Sequence, residues 1–253
     1  MLEVQNLNKT FVSGTFHKKE VHALREVSFL LKDGETLGIL GKSGCGKTTL
    51  SRIIAGLLVP DSGEVRLDGK SILPLRGKER KQVCQRIQIV FQHPTSALDP
   101  SRKIVASLRE PLIVQNICPS KEEQLKKIEQ LMELTGLPSQ LLGRYPHEIS
   151  GGEAQRLVIC RSLLLNPQVL ILDEPTSMLD VSIQASIMTL LRELQEKLSI
   201  SYLFISHDLD LLAWLSDQIA VMKDGAFLEY GPSDQILHAP RAPYTQELIR
   251  AFS

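Results

Sequence analysis

The sequence has no excess of either charge: lysine plus arginine and aspartate plus glutamate each number 29, for a formal net charge of zero. Such a balance exerts no long-range pull on nucleic acid or an anionic membrane surface, so nucleic acid is not an expected partner. Its basic run, Arg76, Lys78, Arg80 and Lys81, reads as a solvated face. No apolar stretch approaches the roughly 18 residues that a membrane span needs, and no basic-then-apolar leader opens the chain, so it is expected to stay where it is made. Cys45, Cys84, Cys118 and Cys160 form no Cys-x-x-Cys pair. That scatter argues against a zinc site and a disulfide framework and fits a reducing cytoplasm. Internal repeats and low-complexity tracts are also lacking, and 253 residues with 43% hydrophobic and 23% charged content suffice for one large domain or two closely joined subdomains.

What is present begins with Gly41-Lys42-Ser43-Gly44-Cys45-Gly46-Lys47-Thr48. It fits Gly-x-x-x-x-Gly-Lys-Ser/Thr, in which glycines let backbone N–H groups curl around phosphates, the lysine reaches the terminal phosphates and the hydroxyl holds magnesium. Thr36 to Leu40 reads as a buried strand and Thr48 to Leu57 as a helix whose positive end faces the anion. Cys45 reads as a small filler of the loop, with alkylation there as the alternative.

Alternating apolar residues between Leu2 and Leu31 predict an antiparallel layer ahead of this strand. Turns at Asp61-Ser62-Gly63 and Asp68-Gly69 flank a strand at Glu64 to Leu67, and Ile87 to Phe91 is a buried strand leading to Gln92. Pro94, Pro100, Pro111 and Pro119 then change the texture, and an amphipathic helix starts at Lys121, with Leu125, Ile128, Leu131 and Met132 on one face, and stops at Gly136 and Pro138. Strands at Val169 to Asp173 and Ser201 to Ser206 are joined by a crossover helix bearing Ile183, Ile187, Leu190, Leu191, Leu194 and Leu198. Asp224-Gly225 marks a hairpin. The organisation predicted is one α/β domain over 1–253, with core segments at 1–92 and 159–253 and a helical subdomain at about 93–158.

A carboxylate at the end of an apolar strand, Asp173, can complete the magnesium shell that Thr48 begins. Its neighbour Glu174 is the natural general base for water attacking the γ-phosphate, with Pro175 fixing the chain beyond it. Ser150-Gly151-Gly152-Glu153 reads as a capping box ahead of an amphipathic helix from Ala154 to Leu165, and a helix start of that kind also offers N–H groups to a phosphate.

Phe11, the loop at 41–48, Gln92, Ile149-Ser150-Gly151-Gly152-Glu153, Val169 to Glu174, Ser177-Met178-Leu179-Asp180 and His207, in this order, resemble an ATP-binding-cassette ATPase over nearly the whole chain. The resemblance implies a P-loop core with an antiparallel β layer and an inserted helical subdomain, ATP and Mg²⁺ as ligands, and two cassettes sandwiching two ATP molecules head to tail. It implies phosphate contacts from Gly41, Lys42, Ser43, Gly44, Cys45, Gly46, Lys47, Thr48 and Thr49. Magnesium contacts are implied from Thr48, Gln92 and Asp173, and catalytic roles for Glu174, Gln92 and His207. Ser150, Gly151, Gly152 and Glu153 would cap the ATP of a second subunit, and Asp180 would touch that subunit. Glu153 stands where the family has glutamine and places a carboxylate near phosphate. Phe11 would stack on adenine, with Phe16 and His17 nearby.

Phe91 to Pro100, Arg144 to Glu148 and Ala242-Pro243-Tyr244-Thr245-Gln246-Glu247-Leu248 are similar to ATPases of oligopeptide, dipeptide and nickel importers, with His93 where that branch usually has aspartate. The resemblance implies an ATPase at the cytoplasmic face of the membrane, paired with a second ATPase subunit as a heterodimer. Two permease subunits would complete the transporter, and an extracytoplasmic binding protein would act indirectly. A short tail after Tyr244 shifts the expected cargo toward nickel or a metal chelate rather than peptides. The segment His93 to Ile104 is expected to receive a permease helix through exposed Leu98 and Ile104. The other readings are a soluble cassette ATPase of DNA repair or translation, which would usually carry a coiled-coil insertion or tandem cassettes, and a P-loop kinase or GTPase.

Overall fold

The computed structural model describes residues 1–13, 19–74 and 77–252, so Phe16, His17 and Arg76 lie outside the described residues. Within the basic run, Lys78 and Arg80 are exposed and Lys81 is half-buried.

Strands β1 (Leu2–Ser13), β2 (Lys19–Leu31), β4 (Ser62–Leu67) and β5 (Lys70–Ser71) form an antiparallel sheet in the order β2-β1-β4-β5. This is the layer read from the alternation at the start of the chain. The second sheet has the order β10-β9-β3-β8-β7-β6, built from β3 (Thr36–Leu40), β6 (Ile87–Val90), β7 (Val169–Asp173), β8 (Ser201–Ser206), β9 (Gln218–Lys223) and β10 (Ala226–Pro232). Its neighbouring strands are parallel except for the β9–β10 hairpin. The hairpin turn uses Asp224 and Gly225, both at positive φ, which matches the right-handed twist of the strands.

Strands covered on both faces read as continuous apolar runs, and β3, β7 and β8 are buried at every residue. Their side chains divide by parity. Leu37, Ile39, Ile171, Leu203 and Ile205 face the antiparallel sheet and helix α1 (Lys47–Ile54). Leu40, Leu170, Leu172, Tyr202 and Phe204 face α6 (Val181–Leu198) and α7 (Leu209–Leu215). A third cluster joins Ile104, Leu108 and Leu112 of α3 (Ile104–Gln115) to Ile128 and Met132 of α4 (Lys121–Leu134). Leu157, Cys160 and Leu164 reach it from α5 (Gly151–Leu163) and its C-cap. Repeats of three and four residues put each set on one helix face.

Three expectations change. Helix α1 ends at Ile54 rather than Leu57, because Gly56 takes a left-handed conformation at φ 70°. Helix α5 is buried on most of its circumference instead of being amphipathic, since it lies between the second and third clusters and passes through the division expected near 158. Leu98 and Ile104, expected to be exposed, are 2% and 0% accessible. Leu98 packs with Val90 and Val158, and Ile104 opens α3 inside the helical cluster, so neither is a docking residue.

Truncating Ile104 should therefore act on stability. Ile104→Ala is expected to lower the unfolding free energy by about 3 kcal/mol through lost transfer energy and a residual cavity. Urea denaturation followed by circular dichroism checks this, and an unchanged midpoint would contradict the burial of that side chain.

Candidate functional site

The parallel register brings four chain segments to one edge of the sheet. Leu40 pairs with Ser206, Ile205 with Asp173, and Leu172 with Val90, so the residues that follow each strand collect there. They wall an open cleft of about 1380 Å³. Gly41, Lys42, Ser43, Gly44, Gly46, Lys47, Thr48 and Thr49 line it together with Phe11, Gln92, Asp173, Glu174 and His207. Such a crevice outside the carboxyl ends of parallel strands is where ligands bind in open α/β sheets.

The loop is wedged between two strands. A Cβ on Gly46, at φ 115°, would come within 2.3 Å of the Ala23 carbonyl, and one on Gly41 within 2.5 Å of the Met222 carbonyl. Only glycine fits either place. Gly46 caps α1 without a side-chain hydrogen bond, which leaves the first N–H groups of the helix directed at the cleft. The Lys47 ammonium is buried and donates to the carbonyls of Gly41 at 2.6 Å and Lys42 at 3.1 Å. Cys45 does not line the cleft. Burial raises its thiol above the usual range, against the nearby Lys47 charge, which argues against ready alkylation.

Asp173 is 6% accessible, and burial raises its carboxyl above the ordinary 3.8, opposed by the Ser51 hydroxyl, which donates to Oδ2 at 3.2 Å. Oxygen donors of this kind, the Asp173 carboxylate, the Thr48 hydroxyl and the Gln92 amide, all lining the cleft, fit Mg²⁺. Glu174 holds a left-handed backbone at φ 51° while its N–H still donates to the Ile205 carbonyl at 2.9 Å. Its carboxylate lies between two partners. Gln92 Nε2 donates to Oε2 at 3.1 Å, and His207 Nδ1 is 3.4 Å from Oε1. Gln92 Nε2 also reaches the Ser177 hydroxyl at 3.1 Å.

Phe11 is 42% accessible, and the Lys9 ammonium sits 5.6 Å from its ring centroid. Ser150, Gly151, Gly152, Glu153 and Asp180 lie outside the cleft. The capping box is present: Glu153 N–H donates to Ser150 Oγ, while Glu153 Oε2 accepts from Ser150 N and Oγ, both at 2.8 Å. These bonds hold the Glu153 carboxyl below the usual range. Asp180 caps α6 by accepting from Ile183 N, and the same Ile183 packs against Gly152, so the starts of α5 and α6 adjoin.

Sequence reasoning missed Ser51, Arg52, His22 and Asp224 in or behind the cleft wall. Ser51 had a signal: four residues after Lys47, it shares the face of α1 turned toward β7.

A raised carboxyl favours folding while protonated, and that contribution is lost as pH rises from 3.8 through the folded-state value. At neutral pH the buried charge opposes folding. Asp173→Asn should thus raise the nucleotide-free melting temperature at pH 7.5 by about 2–4 °C. The gain should vanish near pH 4, as differential scanning calorimetry would register; a lower midpoint at pH 7.5 would refute the desolvation account.

Residues 24–177 match the ABC transporter family. The oligopeptide transport ATP-binding protein AppF of Bacillus subtilis is 43% identical, with 98% of this chain and 77% of that protein aligned. The dipeptide transport ATP-binding protein DppF of Escherichia coli is 44% identical over 91% of this chain and 69% of its own length. Against the glutathione import ATP-binding protein GsiA of Pectobacterium atrosepticum the identity is 42% over 99% of this chain, which spans only 41% of that protein. The dimeric cassette MJ0796 bound to ADP and phosphate superimposes with a TM-score of 0.82 at 30% identity, covering 92% of this chain and 99% of that one. Cleft, sequence and fold agree, and the chain belongs to the ABC transporter family, among its ATP-binding import proteins.

Proposed function

We propose that this ATP-hydrolysing subunit drives uptake of peptides through two permease subunits at the cytoplasmic face of the membrane, paired with a second ATPase subunit. The observation that carries the reading is the Glu174 carboxylate held between Gln92 and His207 in the same cleft that Lys47 and the start of α1 line. Peptides are favoured over nickel or a metal chelate by the relatives, which are named for oligopeptides, dipeptides and glutathione.

In this reading the N–H groups around Gly44 to Thr48 cradle the β- and γ-phosphates, and Lys47 leaves the Gly41 and Lys42 carbonyls to meet them. Phe11, which lines the same cleft, carries the base. Thr48, Gln92 and Asp173 would hold Mg²⁺, which would supply neutralisation of the negative charge on the phosphates. Glu174 accepts a proton from the attacking water, and Gln92 and His207 hold its two oxygens in the direction of attack. His207, 58% accessible, would also contact the γ-phosphate. Ser150, Gly151, Gly152 and Glu153, beside Asp180, form the face offered to the second subunit. There the carboxylate of Glu153 competes with phosphate for the Ser150 donors. The segment after Gln92, together with the helical cluster, receives the permease through exposed polar residues such as His93, Asp99 and Arg102, since Leu98 and Ile104 belong to the core.

Lys47→Ala should abolish ATP binding or hydrolysis by removing the charge facing the β- and γ-phosphates. Tight binding of a fluorescent ATP analogue together with normal turnover would reject the phosphate-loop assignment. Glu174→Gln should keep ATP binding but slow hydrolysis in the assembled transporter about 10²-fold or more. Turnover within about two-fold of the parent would remove Glu174 as the base. Uptake of labelled di- and oligopeptides against labelled nickel, in cells with and without the gene, decides the cargo.

A further inference from the structure

The segment Ala242 to Leu248 has no part in the hydrolysis described above, yet it reaches the same cleft. Helix α9 (Pro243–Phe252) is pinned at its start, where Glu229 of β10 accepts from Arg241 N at 2.7 Å and Ala242 N at 3.1 Å. One turn into α9, Leu248 is buried and lines the cleft together with the phosphate loop. Tyr244 shares that face. Its ring centroid lies 4.5 Å from the Lys223 ammonium and 6.0 Å from the Lys42 ammonium. Lys223 ends β9, and two residues later Gly225 N donates to the Cys45 carbonyl at 2.9 Å, so the hairpin and α9 grip the loop from one side. The hairpin reaches the loop at Cys45, and Tyr244 of α9 reaches it at Lys42. The Lys42 carbonyl, with that of Gly41, holds the Lys47 ammonium.

We propose that Tyr244 is a positioning residue of the phosphate loop. Its aromatic ring holds the Lys42 and Lys223 ammonium groups, and through Lys42 it fixes the carbonyls that place Lys47. Two cations of like charge are brought to one aromatic ring, whose π system attracts both and lowers the cost of their proximity. The hairpin, the C-terminal helix and the loop then move as one body. The inference rests on the proposed ATP site for its binding consequence but not for its structural one.

The test uses the full chain. Tyr244→Phe keeps the π face, and Tyr244→Leu removes it at similar apolar bulk. Affinity for a fluorescent ATP analogue with Mg²⁺ is expected to stay within about two-fold for the phenylalanine variant and to fall about five-fold for the leucine variant. Amide hydrogen exchange over residues 41–47, measured without nucleotide, should quicken about five-fold for leucine alone. In a Lys42→Met background the leucine substitution should add less than about two-fold to either quantity. The proposal is overturned by leucine behaving as the parent in both measurements, by phenylalanine losing as much as leucine, or by an undiminished leucine effect in the Lys42→Met background. A parent protein that binds no ATP would reject the proposed function, and the nucleotide-free exchange would still decide the role of Tyr244.

Discussion

Leu40 pairs with Ser206 and Ile205 with Asp173, and from this register of β3, β8 and β7 the position of each reactive group follows. The phosphate loop, His207 and Glu174 come directly after these paired residues, so they line up along one edge without any long-range adjustment. A slip by one residue would exchange the two buried faces of a strand, setting Leu170 and Leu172 against the antiparallel sheet and Ile171 against α6. Packing therefore fixes the site geometry. The apolar interior excludes alternative registers, and the polar edge inherits whatever alignment the interior selects.

That edge is locally unfavourable for the isolated chain. Asp173 carries its carboxyl into a desolvated position with one neutral hydroxyl as its hydrogen-bond partner, Glu174 takes a left-handed backbone that costs an ordinary residue about 1–3 kcal/mol, and the Lys47 ammonium rests on carbonyls. Two of the three would be resolved by one event in the proposed reaction. A polyphosphate would give Lys47 an anion and a bound metal would give Asp173 a cation, while Glu174 keeps its backbone and its place in the cleft lining. The fully buried strands on either side supply the stability that makes these local costs tolerable.

The core strands were legible because their signals are local. Thr36 to Leu40, Val169 to Asp173 and Ser201 to Ser206 have the predicted bounds, since a short, predominantly apolar run leaves few alternatives. The hairpin at Asp224-Gly225 and the capping box at Ser150 were legible for the same reason. What failed was non-local. Leu98 and Ile104 follow prolines in a stretch that reads as a surface loop, and only the tertiary docking of that stretch on α5 and within the helical cluster buries them. Ser51 is ordinary in sequence and matters because β7 ends opposite it. The environment of Tyr244 was equally hidden, as Lys42, Lys223 and Tyr244 are brought together by the fold from three distant segments.

The starts of α5 and α6 show how one set of groups can meet two demands. Within the chain, Ser150 and Glu153 satisfy the donors at the start of α5, and Asp180 does so for α6. Facing a second subunit, the same donors are those a phosphate would seek. A glutamine at position 153 would offer an amide that can donate as well as accept, so an arriving phosphate would meet no full negative charge. Glu153 instead accepts two bonds from Ser150 and remains ionised, because those bonds hold its carboxyl below the usual range. A phosphate approaching this helix must therefore displace a charged carboxylate that is already bound. Nothing comparable guards the start of α1, where Gly46 supplies no side chain and the N–H groups stay open to the cleft. The two helix termini of this one chain thus present unequal electrostatics, an open glycine cap at α1 and a carboxylate-guarded cap at α5.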